Sequence, residues 1–179
     1  MKAKMMARCA LFVSLTVVCA WVGIPMPPVR FTLQTLAVMT ALGLLGAKWG
    51  TVSVVLYLLL GLAGLPVFSG FRGGLGAFLD PTGGFLFGLL LGALVYWAVE
   101  KMGRLPALLL FLAVCYGCGL GWALLWFPDL KTAFLTCVAP YLLPEAVTLA
   151  LSLHIIKRVG KKCAPPRLPC AKGAVARGD

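Results

Sequence analysis

The chain has 179 residues, of which 61% are hydrophobic and 12% charged, against roughly 45–50% apolar and 25% charged in an ordinary soluble domain. A mean hydropathy of +1.01 would cover a water-facing surface with contiguous apolar patches, so a soluble globular fold is excluded and lipid is the solvent. The length accommodates about six spans of about 20 residues each and no separate soluble domain; no G-x-x-x-x-G-K-[ST] phosphate loop is present, which excludes a built-in ATPase.

Uncharged stretches at 9–29, 31–47, 49–71, 81–99, 105–128 and 132–144 predict six transmembrane helices over roughly 6–24, 32–47, 50–65, 84–100, 105–127 and 133–156. The expected fold is therefore an all-α, polytopic membrane domain over residues 1–160. A basic tail follows at 161–179, where Pro165, Pro166 and Pro169 among cationic residues predict disorder. The net charge of +11 orients this bundle rather than coating nucleic acid. On one side lie Lys2, Lys4, Arg8, Lys48, Lys101, Arg104, Lys157, Arg158, Lys161, Lys162, Arg167, Lys172 and Arg177, which are 13 of the 16 basic residues. Only Arg30, Arg72 and Lys131 lie opposite. The positive-inside rule then places both termini in the cytoplasm of a cell whose plasma membrane the chain crosses several times, and turns the loops around 25–31, 66–83 and 128–132 outward. Lys2, Lys4 and Arg8 before the apolar run from Cys9 also have the form of a signal peptide. No small-residue cleavage pattern of convincing quality follows, and the other spans balance only if this one stays in the membrane.

In the first span, Ala10 and Ser14 form a small-x-x-x-small step suited to close helix contact, within the bundle or with a partner. The first outward loop, Gly23-Ile24-Pro25-Met26-Pro27-Pro28-Val29-Arg30, is stiffened by its prolines and stops the first helix. It delivers Gln34 and Thr35 to the head of the second helix, where polar groups near the outer interface need a partner, water or a ligand. The second outward loop runs over residues 66–84 and is longer than a helix connection requires. Leu, Phe and Val interleave with glycines there, so the loop can fold over an apolar site while its backbone approaches a ligand closely. Arg72 in this loop can form a bidentate pair with a carboxylate. Asp80-Pro81 has the form of an N-cap followed by proline at the first helical position. Gly88 and Gly92 read as close-packing positions.

Seven cysteines, an odd count spread mostly through the spans, argue against an extracellular disulfide framework. Cys115-x-x-Cys118 in the fifth span has the spacing of a thiol oxidoreductase pair, but its uncharged surroundings disfavour thiolates and suit small packing residues. His154 lies at the basic end of the last helix with no Cys or His partner at ligand spacing, so no metal and no cofactor are expected. Glu145 is the residue to which the sequence points most directly. A carboxylate inside a span costs on the order of 2.5–3.5 kcal/mol on insertion scales and marks a functional site unless it is paired, for example with Lys131. Tyr141 four residues before it and Thr148 three after share its helical face.

Pro27-Pro28-Val29-Arg30-Phe31-Thr32-Leu33-Gln34-Thr35-Leu36, the segment from Leu58 to Phe68, and Gly73-Gly74 leading to Pro81-Thr82-Gly83-Gly84-Phe85-Leu86 together resemble the BioY family, the biotin-binding S components of energy-coupling factor transporters. The resemblance runs from the first helix to about residue 156. It implies six helices, an outward-facing biotin pocket covered by the first and third loops, and a partner module of a transmembrane coupling subunit with two ABC-type ATPases. It also implies that Gln34 and Thr35 form the pocket wall, that the glycine-rich loop with Phe71, Arg72, Gly73, Gly74, Thr82, Gly83 and Gly84 is the lid, and that Tyr141 and Glu145 form the floor. The first-helix step resembles the motif by which S components meet the coupling subunit. In the sixth-helix motif the family reads Pro-aromatic-x-Pro-Gly-Asp-x-x-Lys; here Glu145 stands for the Asp and Thr148 for the Lys. The carboxylate is kept as an acceptor for the ureido N–H groups of biotin. The missing lysine leaves the valerate carboxylate without its partner, a role for which the sequence offers Arg72 first and Lys131 second. Phe31, Phe68, Phe71, Phe85 and Tyr141 suit the walls, and the tryptophans suit packing or the interfacial belt. Biotin uptake is the leading expectation. A different vitamin, a membrane thiol oxidoreductase using Cys115 and Cys118, and a purely structural subunit are the alternatives.

Overall fold

The computed structural model describes residues 2–24, 30–127 and 129–163. The proline-rich stretch 25–29 and the tail beyond 163, on which expectations were also placed, lie outside these residues. Helix α1 (Lys2–Trp21) leads into a two-residue strand β1 (Gly23–Ile24), which pairs antiparallel with β2 (Phe31–Thr32). This small ribbon is the one departure from an all-α fold among the described residues. It requires a glycine: a Cβ at Gly23 would lie 2.8 Å from the Phe31 carbonyl oxygen.

Helix α2 (Gln34–Leu45) reverses at Gly46, whose φ of +82° suits glycine, into α3 (Ala47–Leu62). The start of α3 is held by Glu100, whose Oε1 accepts the Ala47 N–H at 3.2 Å, a carboxylate at the positive end of a helix. Residues 63–82 then wander across one end of the bundle and include the single turn α4 (Gly76–Leu79). Helix α5 (Gly83–Val99) follows, then a 3₁₀ turn at Glu100–Met102, α6 (Arg104–Ala123) and α7 (Leu130–Cys137). A second 3₁₀ turn, Ala139–Tyr141, precedes α8 (Leu142–Cys163).

Two local expectations are corrected. The last span is not one helix over 133–156. Pro140 lacks an N–H and crowds the preceding turn, and the chain leaves the α-helix at Val138 (φ −122°, ψ −54°) before restarting at Leu142. Asp80-Pro81 does not cap α5, which begins at Gly83 after Thr82. Asp80 is extended (ψ 163°), and its carboxylate is engaged by Arg72 instead.

Four helical stretches are long and apolar enough to cross a membrane: Ala3–Trp21, Gly83–Met102, Arg104–Ala123 and Leu130–Gly160. Helices α2 and α3 are apolar but shorter, with 12 and 16 residues. At 1.5 Å per residue α2 reaches only about 18 Å, against about 30 Å for the hydrocarbon layer. The exterior is that of a lipid-dissolved protein, with Leu11, Leu59, Leu91, Leu109 and Leu151 all exposed. The interior is close-packed around Met39, Leu42, Tyr57, Tyr96 and Phe111.

Small residues set the interhelical distances, as expected where apolar side chains gain nothing by leaving lipid. A Cβ at Gly88 of α5 would lie 2.8 Å from the Cys115 carbonyl oxygen of α6, and one at Gly92 would lie 2.8 Å from the Phe111 ring. Gly50 likewise brings α3 onto α2 at Leu42. Across helices, the Thr51 hydroxyl donates to the Ala93 carbonyl at 3.1 Å. Gly88→Val, by overfilling the α5–α6 seam, is expected to destabilise the fold by about 1–3 kcal/mol. Thermal unfolding in detergent checks this, with Gly117→Ala, which meets open space, expected to melt like the parent.

Candidate functional site

The end of the bundle crossed by residues 63–82 holds a partly open cavity of about 380 Å³. Its polar pole is built by the first turns of two helices. α2 contributes Gln34 and Thr35, and α8 contributes Glu145, while Tyr141 comes from the turn just before α8. Tyr141 in the turn after the break at Val138–Pro140 and Glu145 in the first turn of α8 both line the cavity. Glu145 is only 4% exposed and Gln34 6%. The Tyr116 hydroxyl of α6 donates to Glu145 Oε2 at 3.3 Å. Gln34 Nε2, Thr35 Oγ1 and Glu145 Oε1 are buried without a hydrogen bond of good geometry, although the Thr35 hydroxyl lies beside the Glu145 carboxylate. Elsewhere the buried hydroxyls are satisfied: Thr16, Thr40 and Ser53 each donate to the carbonyl four residues earlier, at 2.7, 2.7 and 3.0 Å.

The walls are apolar and aromatic. Phe31 stacks on Tyr141 with centroids 6.4 Å apart, and Phe85 meets Tyr116 edge-on at 6.0 Å. The roof is the loop 63–82, which supplies Phe68, Ser69, Arg72, Ala77 and Asp80. It is fastened at several points. The Gly74 N–H donates to the Gly61 carbonyl (2.7 Å), the Phe68 N–H to the Arg72 carbonyl (2.9 Å), the Tyr57 hydroxyl to the Val67 carbonyl (3.1 Å) and the Trp122 indole N–H to the Asp80 carbonyl (3.1 Å). An ion pair between Arg72 and Asp80 closes the loop on itself. Below it, Tyr57, Phe68, Phe78, Phe87 and Trp122 form a continuous run of ring contacts.

Of the residues picked out in the sequence, Gln34, Thr35, Arg72, Thr82, Tyr141 and Glu145 line the cavity together. Phe71, Gly73, Gly74, Gly83 and Gly84 do not. Phe71 is 65% exposed and packs its ring against Trp21 at 4.9 Å. The four glycines shape the backbone: Gly73 lies against the Leu65 carbonyl, Gly83 against the Phe78 carbonyl and Gly84 against Trp122, and Gly74 adopts φ +79°. Thr148 turns its hydroxyl back to the Glu145 carbonyl at 2.8 Å and is not part of the wall. Lys131 is exposed on α7, and Glu145 pairs with Tyr116 rather than with it. Ala10 and Ser14 sit on the exposed face of α1. Cys115 is buried with its thiol donating to the Gly88 carbonyl at 3.2 Å, a packing contact in the α5–α6 seam. Tyr116 escaped notice in the sequence, yet a tyrosine hydroxyl in mid-span is itself a sign that a polar partner lies opposite.

Among the described residues no group of His, Cys, Asp and Glu side chains could hold a metal ion. Aromatic walls with a few convergent polar atoms suit a small organic molecule that presents amide-like donors and acceptors at one end. The fold and the cavity thus define a membrane-embedded protein with a cavity of small-molecule size at one end of its bundle. The BioY family model matches residues 1–164, and the chain belongs to the BioY family. It is 34% identical to the biotin transporter BioY of Thermotoga maritima, over 88% of this chain and 96% of the relative. It is 36% identical to a probable biotin transporter BioY of Pyrococcus horikoshii, over 89% of this chain and 98% of that one. The crystal structure of the S-component for biotin from an ECF-type ABC transporter superposes with a TM-score of 0.82 at 29% identity, covering 89% of this chain and 92% of that chain.

The Arg72–Asp80 pair is half-exposed, so its loss should loosen the roof without unfolding the helices. Asp80→Asn is expected to accelerate backbone hydrogen exchange across residues 66–82 and to leave α5 and α6 protected, as measured by mass spectrometry in detergent.

Proposed function

We propose that this protein is the biotin-binding S component of an energy-coupling factor transporter. It crosses the bacterial inner membrane with six helices and keeps both termini in the cytoplasm, α2 and α3 reaching across by virtue of their packed neighbours. It takes biotin from the outer side and delivers it inward together with a transmembrane coupling subunit and two ABC-type ATPase subunits. The single observation that carries this reading is the set of three buried polar atoms in one cavity that make no hydrogen bond of good geometry: Gln34 Nε2, Thr35 Oγ1 and Glu145 Oε1, the last two lying beside one another. A ureido group presents two N–H donors and one carbonyl acceptor. Glu145 Oε1 accepts from the N–H side, Gln34 Nε2 donates to the carbonyl, and the Thr35 hydroxyl serves either. Phe31, Tyr141 and Phe85 hold the apolar bicyclic body. The cavity volume of about 380 Å³ falls within the roughly 300–1,000 Å³ usual for small-molecule sites.

Within this reading Phe71, Gly73, Gly74, Gly83 and Gly84 act through the shape of the lid, and Arg72 and Thr82 through its inner surface. The protein binds and delivers. The energy comes from the ATPase partner, and Ala10 and Ser14, exposed on α1, form the docking step for the coupling subunit.

Glu145→Ala removes a charged acceptor, a loss of about 1.5–3 kcal/mol, and is expected to weaken biotin binding about 10- to 100-fold. Calorimetric titration of the detergent-purified protein checks it, and titration with other vitamins in the same cell tests the alternative ligand. The double variant Ala10→Trp, Ser14→Trp is expected to abolish energised biotin uptake by cells while biotin binding by the purified protein persists; loss of both would indicate misfolding instead.

A further inference from the structure

Four charged side chains line the cavity: Arg30, Arg72, Asp80 and Glu145. Glu145 sits at the buried pole and is bonded by Tyr116. Arg72 and Asp80 neutralise one another in the roof. Arg30 remains, and among the described residues it makes no ion pair. It immediately precedes β2, four residues ahead of Gln34, and is exposed at the mouth. Its guanidinium lies over Gly70: a Cβ at that position would collide with Nη1, and Gly70 is further held to glycine by a φ of +73°. The roof therefore leaves a seat in which the Arg30 head rests at the cavity wall without a countercharge.

We infer that Arg30, rather than Arg72, pairs with the carboxylate of the bound ligand, an assignment that rests on the biotin reading above. The charge balance of the wall requires such a partner. With Arg72 and Asp80 cancelling, an anionic ligand that brings its polar ring to Glu145 would otherwise add a second negative charge to a wall already carrying one. Arg30 offsets it, and the planar guanidinium fork matches a carboxylate with two parallel hydrogen bonds. The cavity is then polarised along its length, with an acceptor and an amide at the closed pole for the ureido group and a cation at the mouth for the carboxylate. A long molecule with a neutral polar head and an anionic tail enters in one orientation only. Thr148, at the family's lysine position, needs no substitute on its own helix, because the cation comes from the residue ahead of β2.

The test titrates purified full-length protein in detergent with biotin and with biotin amide, in which a carboxamide replaces the carboxylate. The parent protein should bind biotin about tenfold more tightly than the amide, a typical gain for a charge-assisted bidentate pair. Arg30→Gln should erase that preference by lowering biotin affinity about tenfold while amide affinity stays within about twofold, the latter also showing that the variant is folded. Arg30→Lys should restore part of it. Arg72→Gln, acting on the roof, should weaken both ligands alike. The inference is overturned if Arg30→Gln keeps the parent's preference, if Arg72→Gln is the variant that erases it, or if the parent does not distinguish the two ligands. Binding of neither ligand by the parent would overturn the biotin reading itself, and this inference with it.

Discussion

A polar atom buried in a lipid-dissolved bundle has no water to turn to, so it bonds within the protein or is left at a cost of several kcal/mol until a ligand arrives. This constraint sorts the polar side chains of the chain into two groups. Thr16, Thr40 and Ser53 spend their hydroxyls on their own helices, and Thr51 and Tyr57 spend theirs on a neighbouring segment. Gln34, Thr35 and Glu145 do neither completely, and all three line the same cavity. The bundle tolerates them there because the break at Pro140 and the start of α2 bring two helix ends to one place, where a bound molecule can supply the missing partners.

The roof over that place is held differently from the floor. Between α5 and α6 the glycines allow backbone to meet side chain directly, a contact made of many small dispersion terms that gives way only if the helices separate. The loop 63–82 is held by separate backbone hydrogen bonds and a half-exposed ion pair, together with a run of aromatic contacts anchored on Tyr57 and Trp122. Such attachments can be released a few at a time, and segments of this kind open at lower free energy than packed helices. A molecule that has to enter a partly covered cavity in a membrane protein is best served by this division, with rigid walls and a separable roof.

Some of the site was legible without coordinates. Glu145 stood out because charge is scarce in a span, and Gln34 and Thr35 because they follow a proline-stiffened loop at the head of a helix. Gly88 and Gly92 were readable as packing positions for the same compositional reason, since small residues mark helix contacts in lipid. Sequence alone does not decide where a residue has two candidate partners. Gly83 and Gly84, which the family resemblance puts in the lid, lie against Phe78 and Trp122. Asp80 looked like a cap because proline follows it, and its carboxylate goes to Arg72 instead. Tyr116 gave no periodic signal, yet it is the hydrogen-bond partner of Glu145.

The sequence by itself determined the solvent, the predominantly helical character and where the apolar runs lie, because transfer free energies add residue by residue and a run of apolar side chains has the same preference wherever it sits. Only the tertiary structure decided which polar group meets which. Tyr116 and Glu145 are 29 residues apart in the chain, and Asp80 and Trp122 are 42 apart. Hydrogen bonds and ion pairs depend on distances of a few ångströms, and those distances are set by where glycines let the helices close and where Pro140 lets the chain break. Whether Arg30 or Arg72 is left without a countercharge is therefore a property of the packed bundle, not of either residue.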